Sequence, residues 1–365
     1  MAGTIEAERL STIEGNYQRD GFDALVVSDG ADIRYLTGFS GDYGVAAVLL
    51  TPGARYLVTD RRYVTQAKAE TEGYEVVDWY EGVHGVLPEV GHLLSSAGVR
   101  RVGYYAQAMT HADYLSLAAQ CPAVEFCEAA PYITAMRAVK TAEEIEEIRR
   151  ACQISMLSFY ALLDFIKPGR TEREVAAELE HQFHLHGGDG WCFETIVASG
   201  PDNGACPHAS VSDRVLETGD FVTIDFGTYY HGLCSDITRT VALGRPKNPE
   251  LAHVFEVVAE AKQAGMEALR PGLTGHELHD VINEVITGAG YVTPHGFGHG
   301  FGLFIHEDPR ISPANDEAYR AGNITTIEPG IYLPGIGGVR QEDDFLITED
   351  GYERLTFITD HLITL

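Results

Sequence analysis

Short apolar runs alternate with helical stretches over the first third of the chain. Four of these runs are rich in valine, leucine and other strand-forming residues, and two stretches between or after them repeat with the period of a helix. Strands interleaved with helices are typical of an α/β domain, which we predict over residues 1–132. The predicted strands are 23–29, 44–51, 55–60 and 74–79, and the predicted helices are 62–72 and 86–97.

A second domain is predicted over residues 140–365. The stretch 129–140 has no clear period and predicts a linker. Directly after it, Thr141 and Glu144 have the spacing of a capping box, which starts a helix. Apolar positions then follow one helical face as far as the Lys-Pro-Gly sequence at 167–169, where proline removes a donor and glycine permits a turn.

This second part of the chain contains an internal repeat with an offset of 103 residues. KPGRTEREV at 167–175 matches RPGLTGHEL at 270–278, and GDFVTIDFGTYYHG at 219–232 matches GNITTIEPGIYLPG at 322–335 in six of 14 positions. A helix cap, a helix end and a strand all keep one register. We therefore predict two similar α+β halves that are related by an approximate two-fold axis and share one sheet.

The repeat pairs two acidic residues inside otherwise apolar strands. Asp225 lies in FVTIDFG, and Glu328 lies at the matching position in TTIEPG. Asp236 follows Asp225 by eleven residues, which suits an antiparallel hairpin that brings both carboxylates together, and Glu342 lies on the strand after Glu328. Buried like charges this close together need a cation, so the four carboxylates predict a metal site.

Histidines in and before a glycine-rich segment are candidate nitrogen ligands for the same site. Three lie in PHGFGHGFGLFIHE and one precedes the first acidic strand: His295, His299, His306 and His208. Four carboxylates with one histidine suit a pair of divalent ions, with Mn²⁺, Co²⁺ and Zn²⁺ as candidates, and such a pair supports hydrolytic chemistry. Asp343 and Asp344 are predicted to be solvated or supporting groups rather than ligands, because only one face of a strand looks into the site.

Composition and charge narrow the classes of function. The chain has 365 residues, of which 45% are hydrophobic and 22% charged, as in a folded globular protein. A net charge of −28 repels phosphate backbones and anionic lipid, so we expect neither nucleic acid nor a membrane surface as a partner. The sequence predicts no transmembrane helix and no signal peptide, which favours a cytoplasmic protein. Its six cysteines form no C-x-x-C pair and are predicted to be reduced.

Six separated motifs carry the candidate site residues over about 140–365. They are PHAS with His208, IDFG with Asp225, SDITRT with Asp236, HGFGHGFGLFIHE with His299, EPG with Glu328 and GGVRQEDD with Glu342. In these motifs the chain resembles the pita-bread metallopeptidases, the family of methionine aminopeptidase, aminopeptidase P and prolidase. The resemblance implies an α+β pita-bread catalytic domain of two pseudo-symmetric halves, which agrees with the internal repeat.

The resemblance also implies a role for each site residue. Two metal ions would be bound by Asp225, Asp236, His299, Glu328 and Glu342. Substrate contact or stabilisation of the tetrahedral intermediate would fall to His208, His295 and His306. Glu328 would also handle a proton during hydrolysis. Mn²⁺ is the first expectation for the metal, and a homodimer is the implied assembly.

The first 135 residues narrow the choice within this family. IRYLTGF at 33–39 and TDRRYVTQA at 59–67 resemble the N-terminal domain of aminopeptidase P, prolidase and creatinase, which methionine aminopeptidases lack. All five ligand positions are filled. This disfavours two further alternatives, a metal-free hydrolase of the creatinase kind and a non-catalytic binding module of the same fold.

The predicted activity is hydrolysis of the bond between an N-terminal residue and proline. A proline amide lacks the N–H that ordinary proteases recognise and has a fixed φ, so a dedicated pocket makes physical sense. The N-terminal motifs favour an Xaa-Pro aminopeptidase acting on peptides with proline at the second position, with an Xaa-Pro dipeptidase as the alternative. The two differ in whether a basic residue binds the carboxylate of a two-residue substrate. Arg310 and Arg340 are the candidates, and Arg340 is also predicted to contact substrate.

Overall fold

The structure is a computed structural model that describes residues 2–365. The chain divides into two compact units, one ending at Arg137 and the other spanning Ala138–Leu365. All six cysteines are free, as predicted. Among the described residues, no helix combines the length and apolar character that crossing a membrane requires.

The first unit is built on a six-stranded mixed sheet with the order β4-β3-β2-β1-β5-β6. The β1–β2 and β2–β3 pairs are antiparallel, and the other three pairs are parallel. The α/β prediction is confirmed, and each predicted strand and helix has its counterpart. The helices are α1 Ala2–Arg19, α2 Gly30–Thr37, α3 Val64–Glu70, α4 Val86–Ala97, α5 His111–Gln120 and α6 Tyr132–Arg137. The strands are β1 Ala24–Val27, β2 Ala46–Thr51, β3 Ala54–Thr59, β4 Glu75–Asp78, β5 Arg101–Tyr104 and β6 Glu125–Glu128.

The stretch 129–140 is not an irregular linker, because α6 lies within it. Arg137 at the end of this helix donates from Nη1 to Asp32 of α2 at 2.7 Å, and both side chains are buried. A helix of six residues has fewer than two turns. It therefore leaves no readable hydrophobic period in the sequence. The boundary between the two units still lies within 129–140, directly after Arg137.

The second unit contains four helices and thirteen strands. The helices are α7 Ala142–Leu162, α8 Glu172–Leu185, α9 Pro249–Ala268 and α10 Gly275–Gly288. The strands are β7 Gly190–Trp191, β8 Ile196–Ser199, β9 Phe221–Phe226, β10 Thr228–Tyr229, β11 Ile237–Ala242, β12 Gly298–Gly300, β13 Glu307–Ile311, β14 Ile324–Ile327, β15 Gly330–Leu333, β16 Gly337–Arg340, β17 Asp343–Ile347, β18 Tyr352–Arg354 and β19 Ile363–Thr364. Helix α7 starts at the predicted capping box but ends before 167–169, because the chain turns where the Phe165 and Ile166 N–H groups donate to the Leu162 carbonyl.

The internal repeat is present in the structure. Helix α8 shifted by 103 residues coincides with α10, and each begins with a complete capping box, formed by Thr171 with Glu174 and by Thr274 with Glu277. Strands β9 and β14 begin at equivalent positions as well. Two hydrophobic clusters form the core, one between α7, α8 and the strands of the first half and one between α9, α10 and those of the second. The prediction of two similar α+β halves is therefore confirmed.

The two halves do not share one hydrogen-bonded sheet, contrary to expectation. The sheet of the first half has the strand order β19-β11-β9-β8, in which only the two-residue strand β19 comes from outside that half. The second half has the order β14-β17-β18, with β15-β16 as a separate hairpin. Strand β14 is followed by Glu328 and then Pro329. Proline has no N–H, so it cannot donate a further hydrogen bond to a neighbouring strand. The halves meet instead where the Glu342 N–H donates to the Thr238 carbonyl at 3.0 Å.

The hairpin predicted between Asp225 and Asp236 is present. Strands β9 and β11 are antiparallel, with Asp225 opposite Thr238. The chain reverses at His231 and Gly232, whose φ angles of 51° and 82° are the two positive values that a tight hairpin turn requires. At the base of the hairpin, a Cβ on Gly227 would lie 1.9 Å from the Ser235 carbonyl oxygen. Glycine is therefore required where the two acidic residues are brought together.

Substitution Gly227→Ala should destabilise the protein by about 2–3 kcal/mol or more, because the added methyl group meets backbone that cannot move aside. It should also weaken divalent metal binding by displacing Asp236. Gly351→Ala is the matched control, since a Cβ there meets nothing within 4 Å. Thermal unfolding and metal titration of both variants test this, and equal melting temperatures would contradict the role of Gly227.

Candidate metal centre

All the candidate site residues line one cavity of about 420 Å³ in the second unit. The cavity brings together the five predicted ligands, the three other histidines and both candidate arginines: Asp225, Asp236, His299, Glu328, Glu342, His208, His295, His306, Arg310 and Arg340. Its apolar wall includes Phe193, Ile196, Ile305 and Ile311. A concave site with converging polar groups on apolar walls is the usual form of a small-molecule site.

Matching strand ends of the two halves deliver the four carboxylates. Asp225 lies near the end of β9, and Asp236 directly precedes β11, its antiparallel partner. Glu328 directly follows β14, and Glu342 directly precedes β17, again its antiparallel partner. Each half thus supplies two carboxylates from one pair of strands.

Three of these residues form a compact cluster of oxygen and nitrogen ligands. One ligand atom each from Asp236, His299 and Glu342 lies within 4.8 Å of the other two, and all three residues are buried. His299 Nε2 lies near carboxylates of both halves, 3.5 Å from Asp236 Oδ2 of the first half and 3.6 Å from Glu328 Oε1 of the second. A donor set of carboxylates and one imidazole suits divalent ions such as Mn²⁺, Co²⁺ or Zn²⁺.

Of the two carboxylate oxygens of Asp225, one accepts a hydrogen bond and the other has no partner among the described residues. Its Oδ2 accepts a hydrogen bond from Arg340 Nη2 at 2.5 Å. Its Oδ1 is buried and has no hydrogen-bond partner among the described residues. A buried acceptor without a partner costs free energy, which a bound cation would recover. The residues present therefore fit the divalent metal ions that the sequence motifs imply.

Burial raises the pKa values of three carboxyl groups in the cavity, which favours their protonated forms when no cation is bound. Burial raises the pKa of Glu328 to about 8, and repulsion from Asp225 adds to this effect against the attraction of Arg340. Burial and the neighbouring carboxylates raise the pKa of Asp236 and of Glu342 well above their usual range. Without a cation, these groups resist carrying their charges together.

Burial lowers the pKa values of His295, His299 and His306, which favours the neutral forms of these imidazoles. Burial lowers the pKa of His299 to about 3, aided by the neighbouring His306. Burial and Arg340 lower the pKa of His295 to about 4, and burial with Arg310 lowers the pKa of His306. A neutral imidazole can coordinate a metal through one nitrogen or donate a hydrogen bond from the other.

A buried ion pair holds the segment that carries His306. Lys140 Nζ donates to Glu307 Oε2 at 3.0 Å, and their side chains are 2% and 5% exposed. Glu307 Oε1 accepts from the Phe304 N–H at 2.9 Å, which closes the turn around His306. The His306 ring then lies 4.5 Å from the His299 ring, measured between centroids.

Sequence reasoning missed several residues that support the site. Tyr332 is half-buried, and its hydroxyl accepts a hydrogen bond from Arg340 Nη1 and lies 3.0 Å from His295 Nε2. Thr238 donates to Glu342 Oε2 at 2.7 Å. The sequence does contain a signal for Tyr332, because the internal repeat aligns it with another tyrosine, Tyr229. Strand alternation places Thr238 on the same face as Asp236.

Asp343 and Asp344 are buried, so the solvated alternative for them was wrong. The reason is that β17 is buried along its whole length. Asp343 accepts from Arg239 Nη2 at 2.7 Å and from Lys262 Nζ at 2.6 Å, and these cations with Arg354 lower its pKa although burial opposes the shift. Asp344 accepts from the Asp236 N–H at 3.1 Å. Both residues support the ligand-bearing strands from behind.

Comparison with known proteins agrees with this architecture. Residues 146–349 match the model of metallopeptidase family M24, and residues 9–139 match the creatinase/prolidase N-terminal domain. The chain therefore belongs to the M24 metallopeptidases, with the pita-bread fold that the motifs predicted.

Individual relatives match the chain over nearly its full length. An Xaa-Pro dipeptidase from Pyrococcus horikoshii is 33% identical, and the match covers 98% of this chain and 99% of the relative. The structure of an Xaa-Pro dipeptidase from Bacillus anthracis is 36% identical with a TM-score of 0.92, covering 99% and 100% of the two chains. That of an X-Pro aminopeptidase from Thermotoga maritima is 34% identical with a TM-score of 0.87, covering 95% and 97%.

Metal should stabilise the protein more at pH 8 than at pH 5.5. A carboxyl group whose pKa is raised by folding contributes stability that is fully present below its unfolded value, about 4, and is lost as the pH rises through the folded value, about 8 for Glu328. The metal-free protein therefore weakens over this window, and a bound cation removes the repulsion. Melting temperatures with Mn²⁺ and with EDTA at both pH values measure the effect. A metal-induced shift that is the same at both values would contradict it.

Proposed function

We propose that this protein is a metal-dependent Xaa-Pro dipeptidase. The names of the two dipeptidase relatives described above support this choice, and it replaces the aminopeptidase expectation as the main proposal. An Xaa-Pro aminopeptidase remains the second candidate, because the Thermotoga maritima structure with that name also matches over nearly the whole chain.

The observation that carries the dipeptidase proposal is that the two candidate arginines differ in exposure and in hydrogen bonding. The side chain of Arg340 is 4% exposed, and its guanidinium donates to four protein groups, from Asp225, Thr238, Tyr332 and Pro207. The side chain of Arg310 is 55% exposed at the cavity, and among residues 2–365 its guanidinium forms a salt bridge only with the exposed Asp308, at 3.9 Å. Arg310 is therefore the cation that we assign to the free carboxylate of a two-residue substrate. Contact between Arg340 and substrate stays a prediction.

Two divalent ions, with Mn²⁺ as the first expectation, are the cofactor of this proposal. Asp225, Asp236, His299, Glu328 and Glu342 would hold them, and the ions would supply a nucleophile at neutral pH and polarise the scissile carbonyl. A cytoplasmic location and a homodimer belong to the same proposal. They rest on the sequence and on the family resemblance.

The protein's own residues bind and orient the substrate and move a proton. We assign His306 and His208 to hydrogen bonding with the scissile carbonyl and its developing charge, because both line the cavity. His295, oriented by Tyr332, lies on the same cavity wall. Glu328 is assigned to protonation of the leaving prolyl nitrogen, because 18% of its side chain reaches solvent against 6% for Asp236. The apolar wall at Phe193 would exclude water from the pyrrolidine ring.

Substitution Glu342→Gln should abolish Xaa-Pro hydrolysis and weaken metal binding by about 10–100-fold or more, since it removes a buried charge from the ligand set. The metal content of purified protein and the turnover of a dipeptide such as Ala-Pro measure both effects. Glu349→Gln, on an exposed turn of the same half, is the control and should leave both unchanged. Full activity in a metal-free preparation would end the metallopeptidase proposal.

Substitution Arg310→Gln should lower kcat/KM for Ala-Pro by about 10–100-fold, the size expected for loss of a charge-assisted hydrogen bond. It should change kcat/KM for the amidated dipeptide, which lacks the carboxylate, by less than about threefold on the same reasoning. Arg270→Gln, an exposed arginine outside the cavity, is the control.

The comparison of Ala-Pro with Ala-Pro-Ala in the unaltered protein separates the two candidate activities. A dipeptidase should favour the dipeptide. Preference for the tripeptide, together with equal losses on both substrates in Arg310→Gln, would favour the aminopeptidase.

A further inference from the structure

A buried carboxylate that lies outside the metal cavity has no part in the chemistry described so far. Glu172 is the first residue of α8, and its exposure is 0%. It is not among the residues that line the cavity. Burying a carboxylate is costly unless its oxygens are hydrogen-bonded, so the partners of Glu172 indicate what its burial achieves.

Glu172 accepts five hydrogen bonds, all from one segment of the chain. Ser199 donates to Oε1 from its N–H at 2.8 Å and from its hydroxyl at 2.6 Å. Asn203 Nδ2 donates to Oε2 at 2.6 Å. Ser212 donates to Oε2 from its N–H at 3.2 Å and from its hydroxyl at 2.5 Å. The carboxylate therefore ties together the start, the middle and the end of segment 199–212.

This segment carries His208 into the cavity. It connects β8 to the stretch before β9 and has only a short 3-10 turn, Asn203–Ala205, as regular structure. His208 and the preceding Pro207 both line the cavity, and the Pro207 carbonyl accepts from Arg340 Nη1 at 2.9 Å. A loop with so little regular structure needs tertiary bonds to hold one conformation, and Glu172 provides five of them.

The second half of the repeat holds its equivalent segment with a different side chain. At the 103-residue offset, Glu172 corresponds to Gly275 and Ser212 to Asn315. The backbone bond from Arg173 to the Ser212 carbonyl has its counterpart from His276 to Asn315. A Cβ on Gly275 would lie 2.5 Å from Asn315 Nδ2, so the asparagine amide occupies the space that a side chain would need.

In the second half, the Asn315 side-chain amide also hydrogen-bonds to a residue that lines the cavity. Asn315 Nδ2 donates to the Arg310 carbonyl at 2.7 Å. Both halves therefore tether the segment before the acidic strand to the start of the second helix, and the tethered segments deliver His208 and Arg310 to the same cavity. The backbone bond to the helix is common to both halves, but only the first half adds a helix carboxylate to it, whereas the Asn315 amide bonds within its own segment.

We propose that Glu172 is a positioning residue for substrate binding, which fixes His208 at the cavity by clamping segment 199–212. The proposal rests on the proposed function, in which His208 contacts the substrate. It assigns Glu172 no contact with substrate or metal. Loss of the clamp leaves the ligand set in place and lets His208 move, and a displacement of about 1 Å at a reacting centre can cost about 100-fold in rate.

The test is a double-mutant cycle on Ala-Pro hydrolysis with Glu172→Gln and His208→Ala. Glutamine keeps the size of the side chain but turns an N–H₂ group toward donors that need an acceptor. Glu172→Gln should lower kcat/KM by about 10–100-fold with unchanged metal content. The double variant should be no slower than His208→Ala alone, because both changes remove the same contact. A merely destabilised protein would instead lose activity independently of His208.

Two further variants keep the cycle interpretable. Glu174→Gln removes an exposed capping carboxylate from the same helix turn and should leave kcat/KM unchanged. If Glu172→Gln fails to fold, Asn203→Ala replaces it in the cycle, since it removes one of the five bonds and should act in the same direction, by about threefold to tenfold.

The outcomes separate this inference from the proposed function. If the unaltered protein hydrolyses neither Ala-Pro nor Ala-Pro-Ala, the proposed function is refuted, and so is the role of Glu172 in substrate binding. An active protein in which His208→Ala is impaired but the clamp variant keeps full kcat/KM refutes the clamp alone. The clamp is also refuted if the losses of kcat/KM in Glu172→Gln and His208→Ala multiply in the double variant, or if Glu172→Gln loses its metal.

Discussion

Repulsion between four carboxylates in a cavity of about 420 Å³ is the constraint on which the catalytic unit depends. Asp236 and Glu342 are almost fully buried, and Asp225 presents a buried oxygen that no described residue satisfies. Such an arrangement persists only where its charges are compensated. Arg340 compensates part of the charge through Asp225. The raised pKa values of Asp236, Glu328 and Glu342 mean that protons neutralise the rest when no metal is bound, and bound cations would replace those protons. Metal binding therefore decides the charge state of the cavity.

Behind the cavity, a second layer of charges fixes the strands that present the ligands. Arg239 donates to the Glu342 carbonyl at 2.5 Å and to Asp343, and Lys262 reaches Asp343 from α9. These buried ion pairs connect the ligand strands to the helical layer. Duplication explains the layout, because each half delivers one pair of carboxylates on antiparallel strands. The halves differ in the other residues that they bring to the cavity, where one contributes His208 and the other Arg310.

Much of this was predictable from sequence, for identifiable reasons. The 103-residue repeat aligns Asp225 with Glu328, and the capping box of Thr141 and Glu144 predicts the start of α7. The six-residue helix α6 and the separation of the halves into different sheets were not predictable, because neither leaves a periodic signal. Glu172 was also missed, since the three residues that make its five hydrogen bonds lie 27 to 40 residues away and only folding brings them together.

Anomalous diffraction at the manganese edge, from crystals grown with Mn²⁺, tests the central claim most directly. The account predicts two anomalous peaks inside the cavity, contacted by Asp225, Asp236, His299, Glu328 and Glu342 and by no lysine or arginine. Crystals of protein that hydrolyses Ala-Pro but has no peak among these residues would contradict it, because the buried carboxylates would then be tolerated without cations.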